Sequence, residues 1–223
     1  METLNLYKVN RPEYTAVNIA KRIRSTERVG RVQAIVGEGS GAKTVSLIHK
    51  SPDYMQQKPD GTPVQFDDYA QTYGEIWLAL KEARIPTVPT LRIATDSLVL
   101  MTDLEADGSR LFDKVSYRNY HPRRSPISES DRRFLATETD EIIESAGVIM
   151  DRATQAKIVL PIDSESLSLL MREDGSWKLL VVDFEYALFN NEAAGFVNEL
   201  NLRDFTKFIR NYKTKIKQGL DQD

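Results

Sequence analysis

The pattern of apolar and polar positions predicts a strand-rich first half and a helix-rich second half. Runs rich in β-branched residues predict four strands, at 31–36, 43–50, 90–93 and 97–101. The glycine-rich segment 37–41 is typical of a hairpin connection between the first two. Apolar side chains recur at helical spacing over 67–83, so we expect a helix there, closed by Pro86.

The second half predicts helices on either side of a β-hairpin. Ser128, three residues before Asp131, is typical of a helix N-cap, and we expect one long helix from there to about residue 156. Two strands at 167–172 and 177–183 flank a turn-forming segment with Gly175. An apolar stripe predicts a final amphipathic helix. Its members are Leu202, Phe205, Phe208, Ile209, Tyr212 and Ile216.

This order of elements predicts an α+β fold of two lobes with a cleft between them. We expect the boundary within 102–108. Residues 1–104 then form an N-terminal β-rich lobe with one helix, and residues 105–223 form a short helical C-terminal lobe whose β-hairpin carries the site.

The composition of the chain argues against several classes of function. The net charge of −3 argues against a general nucleic-acid binder, and the absence of cysteine excludes disulfides, zinc–thiolate sites and cysteine catalysis. Two histidines make a histidine-rich metal site a poor expectation. The apolar runs are too short to span a bilayer, and the N-terminus lacks the pattern of a signal peptide, so we expect a cytoplasmic protein.

Four ionisable residues occur in an order that suits phosphoryl transfer. Asp183 follows the apolar run 179–182, where a carboxylate is well placed to hold a divalent cation. Asp163 follows another apolar run, Lys50 ends a strand, and Glu75 lies on the next helix. Interpretations without a catalytic role stay open for all four residues. Asp183 and Asp163 would then be turn formers, Lys50 a surface lysine and Glu75 a solvent-facing helix residue.

These segments resemble the protein-kinase-like superfamily, in particular its small bacterial and aminoglycoside- or lipopolysaccharide-phosphorylating branches. Residues 47–50 (LIHK) resemble the third-strand lysine motif, and 73–86 the helix that bears the partner glutamate. Residues 98–104 (LVLMTDL) resemble the fifth strand and hinge. Residues 161–171 are similar to the catalytic loop, and Asp183-Phe184-Glu185 resembles the metal-aspartate motif.

The resemblance implies roles for particular residues. Lys50, held by Glu75, would orient the phosphates of ATP, and Met101 would be the gatekeeper before an adenine-facing backbone at Thr102, Asp103 and Leu104. Asp163 would be the catalytic base. The Mg²⁺ ligands would be Asp183, with Ser168 at the position of the usual asparagine or Glu165 in its place.

Departures from the family pattern keep a second function open. Pro161 stands at the catalytic-loop histidine, Ser168 at the asparagine, and no glycine-rich loop precedes Arg31. The first hypothesis is an ATP- and Mg²⁺-dependent phosphotransferase acting on a hydroxyl of a protein or a small molecule. The alternative is a pseudokinase that binds a nucleotide or a protein without catalysis.

A third interpretation is a P-loop nucleotide-binding site in the segment 37–44. Its glycines and Lys43-Thr44 come close to the P-loop pattern, but Ala42 replaces the glycine before the lysine. This interpretation requires a helix after Thr44, whereas the sequence there favours a strand.

Overall fold

The computed structural model describes residues 3–4, 7–8, 17–22, 29–36, 39–41, 43–51, 66–95, 98–112, 128–162, 166–184, 187–189 and 194–220. The chain is a mixed α+β protein whose sheets are antiparallel. It divides into two compact units, the first made of 1–78 and 88–107 and the second of 79–87 and 108–223.

The first unit is organised around a seven-stranded sheet in the order β1-β3-β4-β5-β7-β6-β2. Its strands are β1 (Thr3–Leu4), β2 (Tyr7–Lys8), β3 (Val17–Arg22), β4 (Val29–Val36), β5 (Lys43–Lys50), β6 (Leu91–Thr95) and β7 (Leu98–Thr102). The predicted hairpin is confirmed, because β4 and β5 pair from Val36↔Lys43 to Val29↔Lys50. β5 is an interior strand, paired with β4 on one side and β7 on the other.

Helix α1 (Phe66–Glu82) confirms the helical spacing seen in the sequence. Tyr73, Ile76, Trp77 and Leu80 are buried, while Gln71 and Glu75 are exposed, so one face is committed to the core. The Trp77 indole N–H donates to the carbonyl of Val88 (2.9 Å). The helix ends at Glu82, and Arg84 adopts a left-handed φ of 56° before Pro86.

The second unit contains α2 (Glu129–Thr137), α3 (Thr139–Gln155) and α4 (Ala194–Leu220). The expected single helix from Ser128 is therefore two helices, interrupted at Glu138 (φ −89°, ψ 10°). The Ser128 cap is confirmed, since its hydroxyl accepts a hydrogen bond from the Asp131 N–H (3.1 Å). Leu202 does not belong to the buried stripe of α4, because it is 60% exposed; Val197 and Asn201 are buried instead.

Two small antiparallel sheets complete this unit. β8 (Arg110–Phe112), β10 (Leu167–Met171) and β11 (Trp177–Val181) form one in the order β11-β10-β8, and β9 (Ile158–Val159) pairs with β12 (Leu188–Phe189). The β10–β11 hairpin confirms the prediction, and Gly175 in its turn has a φ of +82° that favours glycine. β8 lies in a segment that the sequence pattern left irregular.

Within the part of the chain described by the structure, no helix is long and apolar enough to cross a membrane.

Replacing Ser128 by alanine should lower the free energy of unfolding by about 1 kcal/mol, because the Asp131 N–H loses its side-chain acceptor. Ser128→Gly should cost only a few tenths of a kcal/mol, since glycine suits the cap position. Urea unfolding followed by circular dichroism measures both. Equal losses for the two variants would contradict a capping role.

Candidate functional site

Lys50 is a buried lysine at the end of an interior strand. It is 3% exposed, and its Nζ lies 5.3 Å from the centroid of the Tyr73 ring on α1. Burying an ammonium group is costly unless the surroundings stabilise the charge, and an aromatic face does so in part. The surface-lysine interpretation is therefore wrong.

Glu75 does not form the expected ion pair with Lys50. It lies on the exposed side of α1, where its carboxylate accepts a hydrogen bond from Gln71 (3.0 Å). Glu75 is therefore a solvent-facing helix residue, as the alternative interpretation expected. Tyr73, two positions earlier on α1, does contact Lys50.

Met101 and Thr102 close the strand that precedes the expected hinge. Met101 is 6% exposed, and its sulfur accepts a hydrogen bond from the Tyr73 hydroxyl (3.8 Å). Thr102 pairs with Leu47 of β5, and its hydroxyl lies 2.6 Å from that of Thr90. Tyr73 therefore contacts both Lys50 and Met101. Leu104 is half-buried in the turn that follows.

The carboxylate of Asp103 is engaged in hydrogen bonds within the protein. It accepts hydrogen bonds from the Ser46 hydroxyl (2.6 Å) and from Arg31, whose Nε lies 2.7 Å from Oδ2. The hydrogen bond to Asp103, with the attraction between the two charges, raises the pKa of Arg31 above its usual value. Any ligand at this position would therefore meet the backbone of Asp103 rather than its carboxylate.

Hydrogen bonds on both sides of β11 fix the backbone directly before Asp183. The Val181 N–H donates to the Pro86 carbonyl (2.8 Å), and the Val181 carbonyl accepts from the Thr87 hydroxyl (2.7 Å). On the other side, the Val182 N–H donates to the Ser166 carbonyl (2.9 Å). Asp183 is half-buried and lies two residues beyond the end of the strand rather than at it.

Ser166 also ties together the two ends of the loop that contains residue 163. Its hydroxyl donates to the Pro161 carbonyl (2.9 Å), while its carbonyl receives the Val182 N–H. Asp163 and Glu165 lie outside the described residues, so their placement stays a prediction. The ends of their loop are nevertheless held beside the residue that precedes Asp183.

A second pairing aligns the same two segments. β9, which leads into the loop, pairs with β12, which follows Asp183, through Val159↔Leu188 and Ile158↔Phe189. Asn201 of α4 holds β9 in place. It is 2% exposed, its Oδ1 accepts from the Leu160 N–H (3.0 Å), and its Nδ2 donates to the Ile158 carbonyl (2.9 Å).

Ser168 lies further back in the hairpin, opposite Leu180. It is 0% exposed, and its Oγ has no hydrogen-bond partner in the described structure. By register, Ser166 is the hydroxyl next to Val182–Asp183, whereas Ser168 is two residues deeper in β10. An orphaned hydroxyl can accept a new partner, but full burial is a poor setting for a ligand of a hydrated Mg²⁺.

The predicted metal ligands near the loop 161–166 and near Asp183 all supply oxygen atoms. Among the described residues no three His, Cys, Asp or Glu side chains are grouped closely enough to hold a metal by themselves. Of the predicted Mg²⁺ ligands, the structure describes Asp183 as a half-buried carboxylate and Ser168 as a fully buried hydroxyl.

The P-loop interpretation of 37–44 is wrong. Lys43 and Thr44 begin the eight-residue strand β5 rather than a helix, and both are exposed. A P-loop needs its lysine and threonine at a helix N-terminus, where backbone N–H groups converge on phosphate.

Residues that sequence reasoning missed are Ser166, Asn201, Tyr73 and Arg31. Asn201 had a usable signal, because it stands on the apolar stripe of α4 between Val197 and Phe208. A polar residue at a core position must find partners. The role of Ser166 depends on the hairpin register, which the sequence pattern does not specify to the residue.

No protein-family model matches this chain, and no curated protein has a significantly similar sequence.

Asn201→Ala should destabilise the protein by about 3 kcal/mol, because the Leu160 N–H and Ile158 carbonyl would be left buried without partners. Asn198→Ala is the matched control on the exposed face of the same helix, and should change stability by less than about 0.5 kcal/mol. Urea denaturation measures both. Similar small losses would contradict the anchoring role of Asn201.

Ser168→Ala should be neutral or stabilising by up to about 1 kcal/mol, since it removes a buried hydroxyl that lacks a partner. Ser166→Ala should instead cost about 1 kcal/mol, because the Pro161 carbonyl loses its donor. Thermal unfolding of the two variants side by side tests the contrast. A larger loss for Ser168→Ala than for Ser166→Ala would overturn this assignment.

Proposed function

We propose that this protein is an ATP- and Mg²⁺-dependent phosphotransferase of the two-lobed protein-kinase-like fold, transferring the γ-phosphate to a hydroxyl acceptor. One observation carries the proposal. The loop 161–166 and the segment around Asp183 are brought together by the Ser166 hydrogen bonds and by the β9–β12 pairing. Phosphoryl transfer needs a carboxylate at the attacking hydroxyl and another at the metal, and these two segments supply Asp163 and Asp183.

The first unit would supply the nucleotide contacts. Lys50 is a buried cation on a rigid interior strand, so its position is well defined for pairing with the α- and β-phosphates. The backbone of Thr102 to Leu104 would face adenine, since the Asp103 side chain is already occupied by Arg31 and Ser46. Tyr73 takes the place proposed for Glu75 as the α1 residue that holds Lys50.

In the reaction, Asp163 would orient the acceptor hydroxyl and receive its proton. The acceptor oxygen forms a bond to the γ-phosphorus while the bond from that phosphorus to the β–γ bridging oxygen breaks, and ADP leaves. Asp183 would hold the metal, with the Ser168 hydroxyl or Glu165 as a further ligand. The bound Mg²⁺ would neutralise charge on the β- and γ-phosphates.

A second candidate function is a nucleotide- or protein-binding pseudokinase. Two observations favour it: Glu75 forms no ion pair with Lys50, and Ser168, at the position of the usual asparagine, is fully buried. The first hypothesis and the nucleotide-binding form of the second both expect nucleotide binding, and only the first expects phosphate transfer.

We expect ATP with Mg²⁺ to raise the melting temperature by several degrees, as about 100 Kd of ligand adds about 2.7 kcal/mol. Asp183→Asn should abolish the Mg²⁺-dependent part of the shift, and Lys50→Met should reduce the shift with either form of ATP. Differential scanning fluorimetry measures these shifts. Lys43→Met is the matched control, because Lys43 is an exposed lysine at the other end of the same strand.

Loss of labelled-phosphate transfer in Asp163→Ala, with ATP binding retained, would single out catalysis over the binding-module alternative. Transfer can be followed as ATP turnover, or as phosphate incorporated into the protein itself. Absence of any nucleotide shift in the wild-type protein would refute the phosphotransferase and the nucleotide-binding form of the pseudokinase, and would favour a protein-binding module.

A further inference from the structure

Helix α4 concentrates positive charge in a chain whose net charge is −3. Its acidic residues are Glu199 and Asp204. Its basic residues are Arg203, Lys207, Arg210, Lys213, Lys215 and Lys217. Because salt at physiological strength screens exposed charges beyond about 8 Å, a partner that meets this helix responds to the local positive charge rather than to the net charge of the chain.

The exposed cations of α4 share one face of the helix. Arg203, Lys207 and Arg210 are exposed and follow one another at spacings of four and three residues, which places them on one side. Lys213, also exposed, extends this face by a further three residues. At 1.5 Å per residue, the basic face from 203 to 213 is about 15 Å long. Arg203 also contacts its neighbour Asp204 (3.1 Å), but an ion pair at the surface holds its members weakly.

Two large apolar side chains are exposed beside this basic face. Phe196 is 65% exposed and Leu202 is 60% exposed. Phe196 precedes Arg203 by seven residues, about two helical turns, so both lie on the same face. Leu202 precedes Lys213 by eleven residues, about three turns, so it lies on the side of the face that Lys213 occupies. A single exposed apolar residue is ordinary, whereas here two of them adjoin one row of cations.

The opposite face of α4 is fixed in the core of the second unit. Asn201, Phe208 and Tyr212 are buried there. The rings of Phe208 and Tyr212 stack at a centroid distance of 5.6 Å, and the Tyr212 hydroxyl donates to the Leu135 carbonyl (3.3 Å). The helix is therefore unable to turn its core face outward, and it presents to a partner only the basic face with the two exposed apolar side chains.

We propose that the basic face of α4 docks on the surface of a bilayer that contains anionic phospholipid. Arg203, Lys207, Arg210 and Lys213 lie against the lipid phosphates, and Phe196 and Leu202 enter the boundary between headgroups and acyl chains. Charge complementarity argues for this occupant, because lysine and arginine are attracted to an anionic leaflet within a Debye length of its surface. The docking is peripheral and does not depend on the proposed phosphotransferase activity.

The exposed apolar residues favour lipid over nucleic acid as the anionic partner. Proteins that bind single-stranded nucleic acid combine cations with aromatic rings on which bases stack, and an aliphatic side chain such as Leu202 offers no such platform. Phenylalanine and leucine beside a cationic helix face are typical of helices that lie in the plane of a membrane surface.

The test measures co-sedimentation of the full-length protein with vesicles of phosphatidylcholine that contain about one quarter phosphatidylglycerol. We expect at least about tenfold weaker binding to pure phosphatidylcholine vesicles, and loss of binding as salt rises from about 0.05 M to about 0.5 M. The variant R203E/K207E/R210E should bind at least about tenfold more weakly, because like charges then face the lipid. The matched control K43E/K157E/K178E makes the same charge change at exposed lysines elsewhere and should bind as the wild type does.

A second pair of variants tests the apolar contacts with the positive charge intact. F196S/L202S should bind about fivefold more weakly, because it removes the side chains that enter the bilayer. The matched control V29S/V148S replaces the other two exposed large apolar residues of the described chain and should bind as the wild type does. Circular dichroism should show the same helix content in all four variants. Tryptophan emission of F196W should shift to shorter wavelength with the anionic vesicles and not with pure phosphatidylcholine.

The proposal is overturned by absence of binding to the anionic vesicles, by equal binding to both kinds of vesicle, or by wild-type affinity of either R203E/K207E/R210E or F196S/L202S. Complete displacement by inorganic phosphate at about 10 mM and constant ionic strength would also overturn it, and would assign the face to free phosphate. Tighter binding to an oligonucleotide than to the vesicles would assign the face to nucleic acid instead.

Discussion

The backbone hydrogen bonds of Val181 and Val182 are the constraint on which the candidate site depends. Pro86 and Thr87 hold Val181 from one side, and Ser166 holds Val182 from the other. A strand whose end is bonded on both sides has little freedom, so main-chain geometry restricts where the backbone of Asp183 lies. The same Ser166 closes the loop 161–166 onto Pro161. One serine thus couples the two segments that carry the candidate carboxylates.

Asn201 extends this constraint into the helical core. Its side-chain amide accepts a hydrogen bond from the Leu160 N–H and donates one to the Ile158 carbonyl, in the segment before the loop 161–166. It also donates to the Thr154 hydroxyl (3.0 Å) at the end of α3. Polar groups in such a setting stabilise one arrangement strongly, because any slip would leave several buried groups without partners. The placement of the segment that leads into the loop 161–166 therefore depends on the Asn201 amide.

The sequence pattern predicted the elements that have strong periodicity and clear turns. The β4–β5 and β10–β11 hairpins, α1 and the Ser128 cap follow from local residue preferences, which are independent of the rest of the chain. The break at Glu138 was not predictable in this way, because α2 and α3 are both helical in pattern and no glycine or proline stands between them. Short strands such as β8 and β9 depend on distant partners, so their local sequence carries little signal.

For the candidate site, the sequence identified residue types but not partners. Lys50 and Glu75 are both where a strand and a helix were expected, yet Tyr73 is the residue that contacts the lysine, since a shift of two positions along α1 changes the face from exposed to buried. The same sensitivity to register decides which serine contacts the loop: Ser166 donates to the Pro161 carbonyl, whereas Ser168 is fully buried. The end of β11 has a fixed geometry, because the Val181 backbone hydrogen-bonds with both Pro86 and Thr87.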